Sequence, residues 1–185
     1  IFTPNLSINS SGRALTIAQI YSLNHQVQLV GLTYSENNYE IWEPLRNLDL
    51  NIINIKYFDF EKFINDVIEF CIFNYCETIH ISKQRLPSII FGLTYKLIWG
   101  SKVIIDVDDN ELGIVKAFSS LEIDEFLKKN KKINKNANIL EKKYTQISES
   151  LIQTFDGITT ANKYFAEKYS GCLIRHARDI DKNKF

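Results

Sequence analysis

Short apolar runs alternate along this chain with longer stretches whose apolar residues recur at helical spacing, and that alternation constrains the fold more than any other feature. It is the pattern of βαβ units, which build a mostly parallel sheet with helices on both faces. The clearest strand is Lys102-Val103-Ile104-Ile105-Asp106, apolar between its ends, as a strand covered on both sides should be. The clearest helix follows Asp59, a good N-cap, and puts Phe60, Phe63, Ile64, Val67, Ile68 and Cys71 on one stripe.

The other elements fall into line around these two. Ile1 to Thr3 reads as the end of a first strand, broken by Pro4. A polar loop, Asn5 to Gly12, leads into a helix from about Arg13 to Leu23, with Ser10 or Ser11 as its N-cap. Val27 to Leu32 is a second strand, Glu40 to Asn47 a short helix and Asn51 to Ile55 a third strand. Thr78 to Ile81 is a fourth, and its loop, Ser82 to Arg85, opens a helix with Pro87 in the first turn and Gly100 at the end. Asp156 to Thr160 and Cys172 to Arg175 read as the last strands, flanking a helix from about Asn162 to Tyr169. The expected fold is a Rossmann-like, doubly wound α/β sheet of about six or seven strands.

Composition narrows the function classes. With 185 residues and 45% apolar side chains, the chain suffices for one compact domain with a sizeable core, which excludes disordered and collagenous polymers. Its 22 basic and 22 acidic residues cancel, leaving no global field for a polyanion, which argues against a dedicated nucleic-acid binder unless the charges segregate, as they do in one stretch described below. Cys71, Cys76 and Cys172 are too few and too irregularly spaced for a disulfide framework or a zinc array; they fit a reducing, cytoplasmic compartment, with Cys71 and Cys76 expected on one helix. No apolar run has the length of a membrane span, and the start lacks the pattern of a signal peptide. The chain has no methionine and opens on Ile1-Phe2-Thr3-Pro4, so it reads as a piece of a longer protein.

In an open parallel sheet the ligand crevice lies beyond the carboxyl ends of the strands, which makes the loops leaving each strand the candidates. In the first, Ser11, Gly12 and Arg13 offer a helix N-terminus to an anion or a sugar hydroxyl, with Gly12 permitting close approach; a tight serine-capped turn would look the same. The second places Ser82, Lys83, Gln84 and Arg85 after the fourth strand, as ligand-binding cations and donors or as solvated loop charges. The third, D-V-D-D-N-E-L, crowds Asp106, Asp108, Asp109 and Glu111 after a buried strand. Such carboxylates need a cation, donors or water to offset them, or else serve as an N-cap and first-turn acids. The fourth sets His176 between Arg175 and Arg178, whose guanidiniums suit phosphate or carboxylate. His25 and His80 read as packing or turn residues.

Between Asp109 and Ser150 the periodicity loosens, and Lys128 to Lys143 holds seven lysines against one glutamate. A solvated helix or insertion would carry such charge, and so would a segment that touches anionic lipid headgroups. Ile133, Ile139 and Leu140 add some apolar surface for either purpose.

The order of these features resembles the N-terminal domain of a two-Rossmann-domain, GT-B type glycosyltransferase, close to the family 4 group 1 transferases. The residues that carry the resemblance are S-G-R-A-L-T-I-A-Q-I-Y-S-L-N-H-Q-V-Q-L-V-G-L, I-H-I-S-K-Q-R-L-P-S-I-I-F-G with K-V-I-I-D-V-D-D-N-E-L, D-G-I-T-T-A-N-K-Y-F, and I-R-H-A-R-D. Asn37 to Ile72 and Lys116 to Ser150 lie outside it. The resemblance implies an acceptor-side domain over residues 1–177, with a Lys-rich insertion or helix at about 116–150, and with 178–185 starting the crossover to a donor-binding domain. It implies transfer of a sugar from a nucleotide-sugar, used as donor substrate with no cofactor or metal, to a glycan or lipid-linked acceptor. The setting would be cytoplasmic or peripheral at the inner face of the membrane. The cleft residues it implies are Ser11, Gly12, Arg13, Ser82, Lys83, Asp108, Asp109, His176 and Arg178. Gly12 matches the loop that approaches donor phosphate and acceptor, Asp108 stands where many members carry the histidine of a His-Asp pair, and Ile174 to Asp179 matches the crossing into the second domain.

Three other readings share the same residues. A haloacid-dehalogenase-like phosphatase would use Asp106 and Asp108 as its D-x-D, although Asn110 stands where Thr or Val is wanted. A GT-A transferase would use the same pair on manganese, without the expected N-terminal nucleotide pattern. A noncatalytic Rossmann-like module would only dock.

Overall fold

The structure is a computed structural model that describes residues 1–129 and 138–176. Seven strands form one parallel sheet: β1 (Phe2–Thr3), β2 (Gln28–Thr33), β3 (Asn51–Lys56), β4 (Thr78–Ser82), β5 (Lys102–Val107), β6 (Gly157–Thr160) and β7 (Cys172–Leu173). Their order is β3-β2-β1-β4-β5-β6-β7. The helices are α1 (Gly12–Ser22), α2 (Glu43–Arg46), α3 (Phe60–Phe73), α4 (Leu86–Trp99), α5 (Glu111–Ile114), α6 (Ile123–Lys129), α7 (Lys142–Ser150) and α8 (Lys163–Tyr169). The chain has the Rossmann-like, doubly wound architecture that its alternation predicts.

Two neighbouring rows across the sheet explain the layering. In register, Ile53, Val30, Phe2, Ile81, Ile105 and Ile158 lie side by side. One residue later come Asn54, Gly31, Thr3, Ser82, Asp106 and Thr159. Successive residues of a strand point to opposite faces, so one face receives an apolar row and the other a polar one. The apolar row packs under α3 and α4, with Phe63, Val67, Ile89, Phe91 and Tyr95, and Phe2 stacks on Phe91 at 4.2 Å. The polar row lies toward α1, whose Arg13 bonds Asp106 in that row and whose Tyr21 bonds His80, two residues before Ser82 on β4. Gly31 sits in this row because Leu6 crosses it: a Cβ there would lie 2.7 Å from Leu6 Cγ, Thr3 Cγ2 and the Thr3 carbonyl.

Local signals end the helices as expected. Asp59 accepts from Lys62 N–H at 2.9 Å, Asn162 from Phe165 N–H at 2.9 Å, Pro87 lies in the first turn of α4, and Gly100 closes that helix at φ 64°. Four expectations are corrected. Ser11 stands at the N-cap of α1, but its hydroxyl donates to Ile8 O and caps nothing. Leu6, within a loop read as polar, is fully buried with Ala14, Leu29 and Leu45. Cys76 lies beyond the end of α3, exposed, while Cys71 is buried on it. Ile68 is exposed, because the stripe that meets the sheet is narrower than the sequence pattern.

The region of loose periodicity is helical in part. Phe126 of α6, Ile139, and Tyr144 and Ile147 of α7 gather with Leu86 in a small second core that fastens this region onto α4. Lys131, Lys132, Ile133 and Lys135 of the Lys-rich block lie outside the described residues, as do Arg178 and Asp179. No helix among the described residues is long and apolar enough to cross a membrane.

Candidate functional site

From β1 the chain winds outward through β2 and β3, and from β4 it winds the other way, so the order reverses between β1 and β4. The loops leaving those two strands diverge, and the gap between them is where an open α/β sheet receives ligands. Gly12 follows β1, Ser82 ends β4, Asp108 follows β5 and His176 follows β7. All four therefore stand at the carboxyl edge of the sheet.

Three cations organise this edge through four ion pairs. The Arg13 guanidinium donates from Nε to Asp106 Oδ2 and from Nη2 to Asp106 Oδ1, each at 3.0 Å, with both side chains buried. Nη2 also donates to Ile174 O at 2.7 Å, and Thr159 donates to Asp106 Oδ1 at 2.6 Å. Lys83 Nζ meets Asp108 at 3.1 Å and also bonds Asp109, and Arg85 pairs with Glu111. The cations of the β4 loop are thus the partners of the carboxylates of the β5 loop, two features that the sequence presents separately. Lys83 makes this turn at φ 64°, unusual for a residue with a side chain, while its N–H donates to Asp106 O at 2.9 Å.

Burial tunes these groups. Desolvation raises the Asp108 carboxyl above its ordinary value, against the opposing pull of Lys83. Burial works to lower the Lys83 ammonium, but Asp108 and Asp109 outweigh it and the net shift is upward. Below the ion pairs, His80 bonds Tyr21 OH and Thr159 Oγ1 at 3.2 Å each, and burial lowers its imidazole to about 4 despite the nearby Asp106 carboxylate. His80 is a packing residue, as its sequence context suggests.

Several polar atoms at the same edge have no partner in the fold. Among the described residues, Thr3 Oγ1, Ser7 Oγ, Arg13 Nη1, Ser82 Oγ and Gln84 Oε1 are buried without a hydrogen bond. Thr3 and Ser82 end the adjacent strands β1 and β4, which puts two unpartnered hydroxyls side by side at the switch point. Buried polar groups are normally satisfied by protein or by ordered water, and these atoms lie beneath the surface of the edge. Gly12 has open space where a Cβ would stand and φ −58°, so its conformation is available to any residue and only access distinguishes it.

The candidate residues divide accordingly. Lys83, Asp108 and Asp109 are brought together; Ser82, next to Lys83 in the chain, is buried; Gly12 stands at the same edge at the start of α1 with open space where a Cβ would be; Ser11 is turned inward; Arg13 is committed to Asp106. His176 is exposed beyond β7, joined to the edge through the Ile174 carbonyl. Gln84, Arg85, Glu111 and Thr159 join the constellation without having been singled out as cleft residues, because only the adjacency of β4, β5 and β6 reveals their partners. No group of three or more His, Cys, Asp or Glu is disposed to hold a metal among the described residues.

A cavity of about 620 Å³ opens at the opposite, amino edge, with Ile1, Tyr21, Gln28, Thr78 and Tyr95 in its walls. It has none of the ion pairs of the carboxyl edge, so the switch point remains the candidate. No family model, curated protein or solved structure matches this chain.

Proposed function

We propose that this chain is the acceptor-binding half of a glycosyltransferase, which transfers a sugar from a nucleotide-sugar to a hydroxyl of a glycan or lipid-linked acceptor. One observation carries the reading: at the switch point each of the three cations already faces a carboxylate, while the Asp109 side chain is half exposed there as a hydrogen-bond acceptor. Such an edge suits a neutral, hydroxyl-rich ligand better than a phosphate, since Arg13, Lys83 and Arg85 each have an anion already. Contacts to the donor diphosphate would then fall to a second domain, as the resemblance implies.

Within this reading Asp108 and Asp109 accept hydrogen bonds from acceptor hydroxyls, with Lys83 holding both carboxylates in place. Asp108, whose carboxyl burial raises, is the better group to take a proton from the attacking hydroxyl. The phosphatase reading is less favourable because both Asp106 oxygens are occupied by Arg13 and Thr159 and the carboxylate is buried. The test is a transfer assay on the longer protein that carries a second domain. Asp108→Asn should lower the rate at least about tenfold, ~1.4 kcal/mol in the barrier, with little change in melting temperature. An unchanged rate together with a clear loss of stability would assign the carboxylates to structure alone.

A further inference from the structure

We infer that the outer face of α3 and α4, toward their carboxyl ends, pairs with the same face of a second copy of this chain across a two-fold axis near Ile72. The two helices pack side by side on the sheet. Ile68 and Ile72 lie one turn apart on α3, Tyr75 follows just past its end, and Leu97, Ile98 and Trp99 form the last turn of α4. Leu97 is 84% and Tyr75 67% exposed, and the other four each keep more than a third of their surface open. The rings are held in place. Trp99 Nε1 donates to Cys71 O at 2.7 Å and its ring meets Tyr75 edge-on at 5.4 Å, which ties the end of α4 to the end of α3. A monomer rarely displays so much apolar surface in one place, and a patch of this kind marks an interface.

The occupant follows from charge and size. Both helices keep their charges off this face: Lys62, Asp66 and Glu69 line the far flank of α3 beside β3, and Lys96 is paired to Asp156. An uncharged patch gives a polyanion, an anionic bilayer or an acidic peptide nothing to hold, whereas it meets its own copy without opposing like charges. At the amino edge its rim carries an acid and a base, Glu77 and Lys102, joined by a bond of 2.9 Å from Lys102 N–H to Glu77 O, so a two-fold axis can set each sign against the other. Six large apolar side chains, each exposing on the order of 100 Å², approach the ~800 Å² per partner of a standard interface. The face lies at the end of the helices away from the candidate edge, so pairing leaves that edge open, and its test is independent of the sugar-binding reading.

At about 100 µM, residues 1–185 should sediment as a dimer, and the association should persist in high salt, as apolar pairing does. Leu97→Ser, at an exposed position that leaves the fold intact, should weaken dimerisation at least about tenfold with the far-UV circular dichroism unchanged. Ile72→Lys and Ile72→Glu should each abolish the dimer, since like charges then meet near the axis, and an equimolar mixture of the two should restore it. A parent chain that stays monomeric at that concentration would overturn the inference. So would a dimer indifferent to all three substitutions, or folded Lys and Glu variants that fail to pair when mixed. Binding of the monomer to phosphatidylcholine vesicles, lost in Leu97→Ser, would assign the face to lipid instead.

Discussion

The guanidinium of Arg13 and the carboxylate of Asp106, 93 residues apart in sequence, share two hydrogen bonds of 3.0 Å beneath the switch point. This pair joins the start of α1 to the end of β5, and through the Ile174 carbonyl it also holds the exit of β7. Removing one partner leaves a buried charge alone, so Arg13→Ala should cost about 3–5 kcal/mol in urea unfolding. Replacing both, as Arg13→Met with Asp106→Leu, should recover much of that loss. A single Arg13→Ala variant as stable as the parent would mean that the pair does not organise this edge.

His80 makes stability depend on pH in a defined direction. Its imidazole is held down to about 4 by burial, whereas the unfolded chain protonates it near the ordinary 6.5. Between those values the unfolded state binds the extra proton, so stability rises with pH and is lost as pH falls from about 6.5 to about 4. The loss attributable to His80 should reach about 3 kcal/mol, read from urea midpoints across that range, and His80→Gln should remove it.

Much of the fold was legible because each strand and helix carries its own local signal. The Asp59 cap, the Val103-Ile104-Ile105 run and the Gly100 stop are properties of a few neighbouring residues, and the structure keeps them. Leu6 was illegible because its burial depends on Gly31, brought beside it by the pairing of β1 with β2. The candidate edge was legible by position and not by partnership. Sequence placed Lys83 and Asp108 after successive strands; only register places one ammonium between two carboxylates.

Two glycines separate packing from access. Gly31→Ala should destabilise by about 1–3 kcal/mol, since a Cβ would strike the Thr3 carbonyl, a backbone atom that cannot move aside cheaply. Gly12→Ala meets nothing and sits at helical φ, so stability should be unchanged or raised by up to ~1 kcal/mol. Thermal melts of both variants check the contrast. If the open space beside Gly12 admits ligand, the same substitution should weaken saccharide binding.

The Lys83 clamp predicts a charge effect within one loop. Lys83→Met leaves Asp108 buried without its cation, which should raise that carboxyl further and lower stability above its titration. The sign is that of an acid harder to ionise in the folded state: the folded chain binds more protons, and stability falls as pH rises. Adding Asp108→Asn to Lys83→Met should abolish that slope, measured by unfolding between acidic and neutral pH.

The most direct test of the sugar-binding account is a titration of isotope-labelled residues 1–185 with neutral saccharides, followed by backbone amide NMR. The account predicts saturable shifts clustered on the amides of Gly12, Ser82, Lys83, Asp108 and Asp109, diminished in Gly12→Ala. No shifts with any saccharide, or shifts confined to Tyr21, Gln28 and Thr78 around the amino-edge cavity, would contradict it.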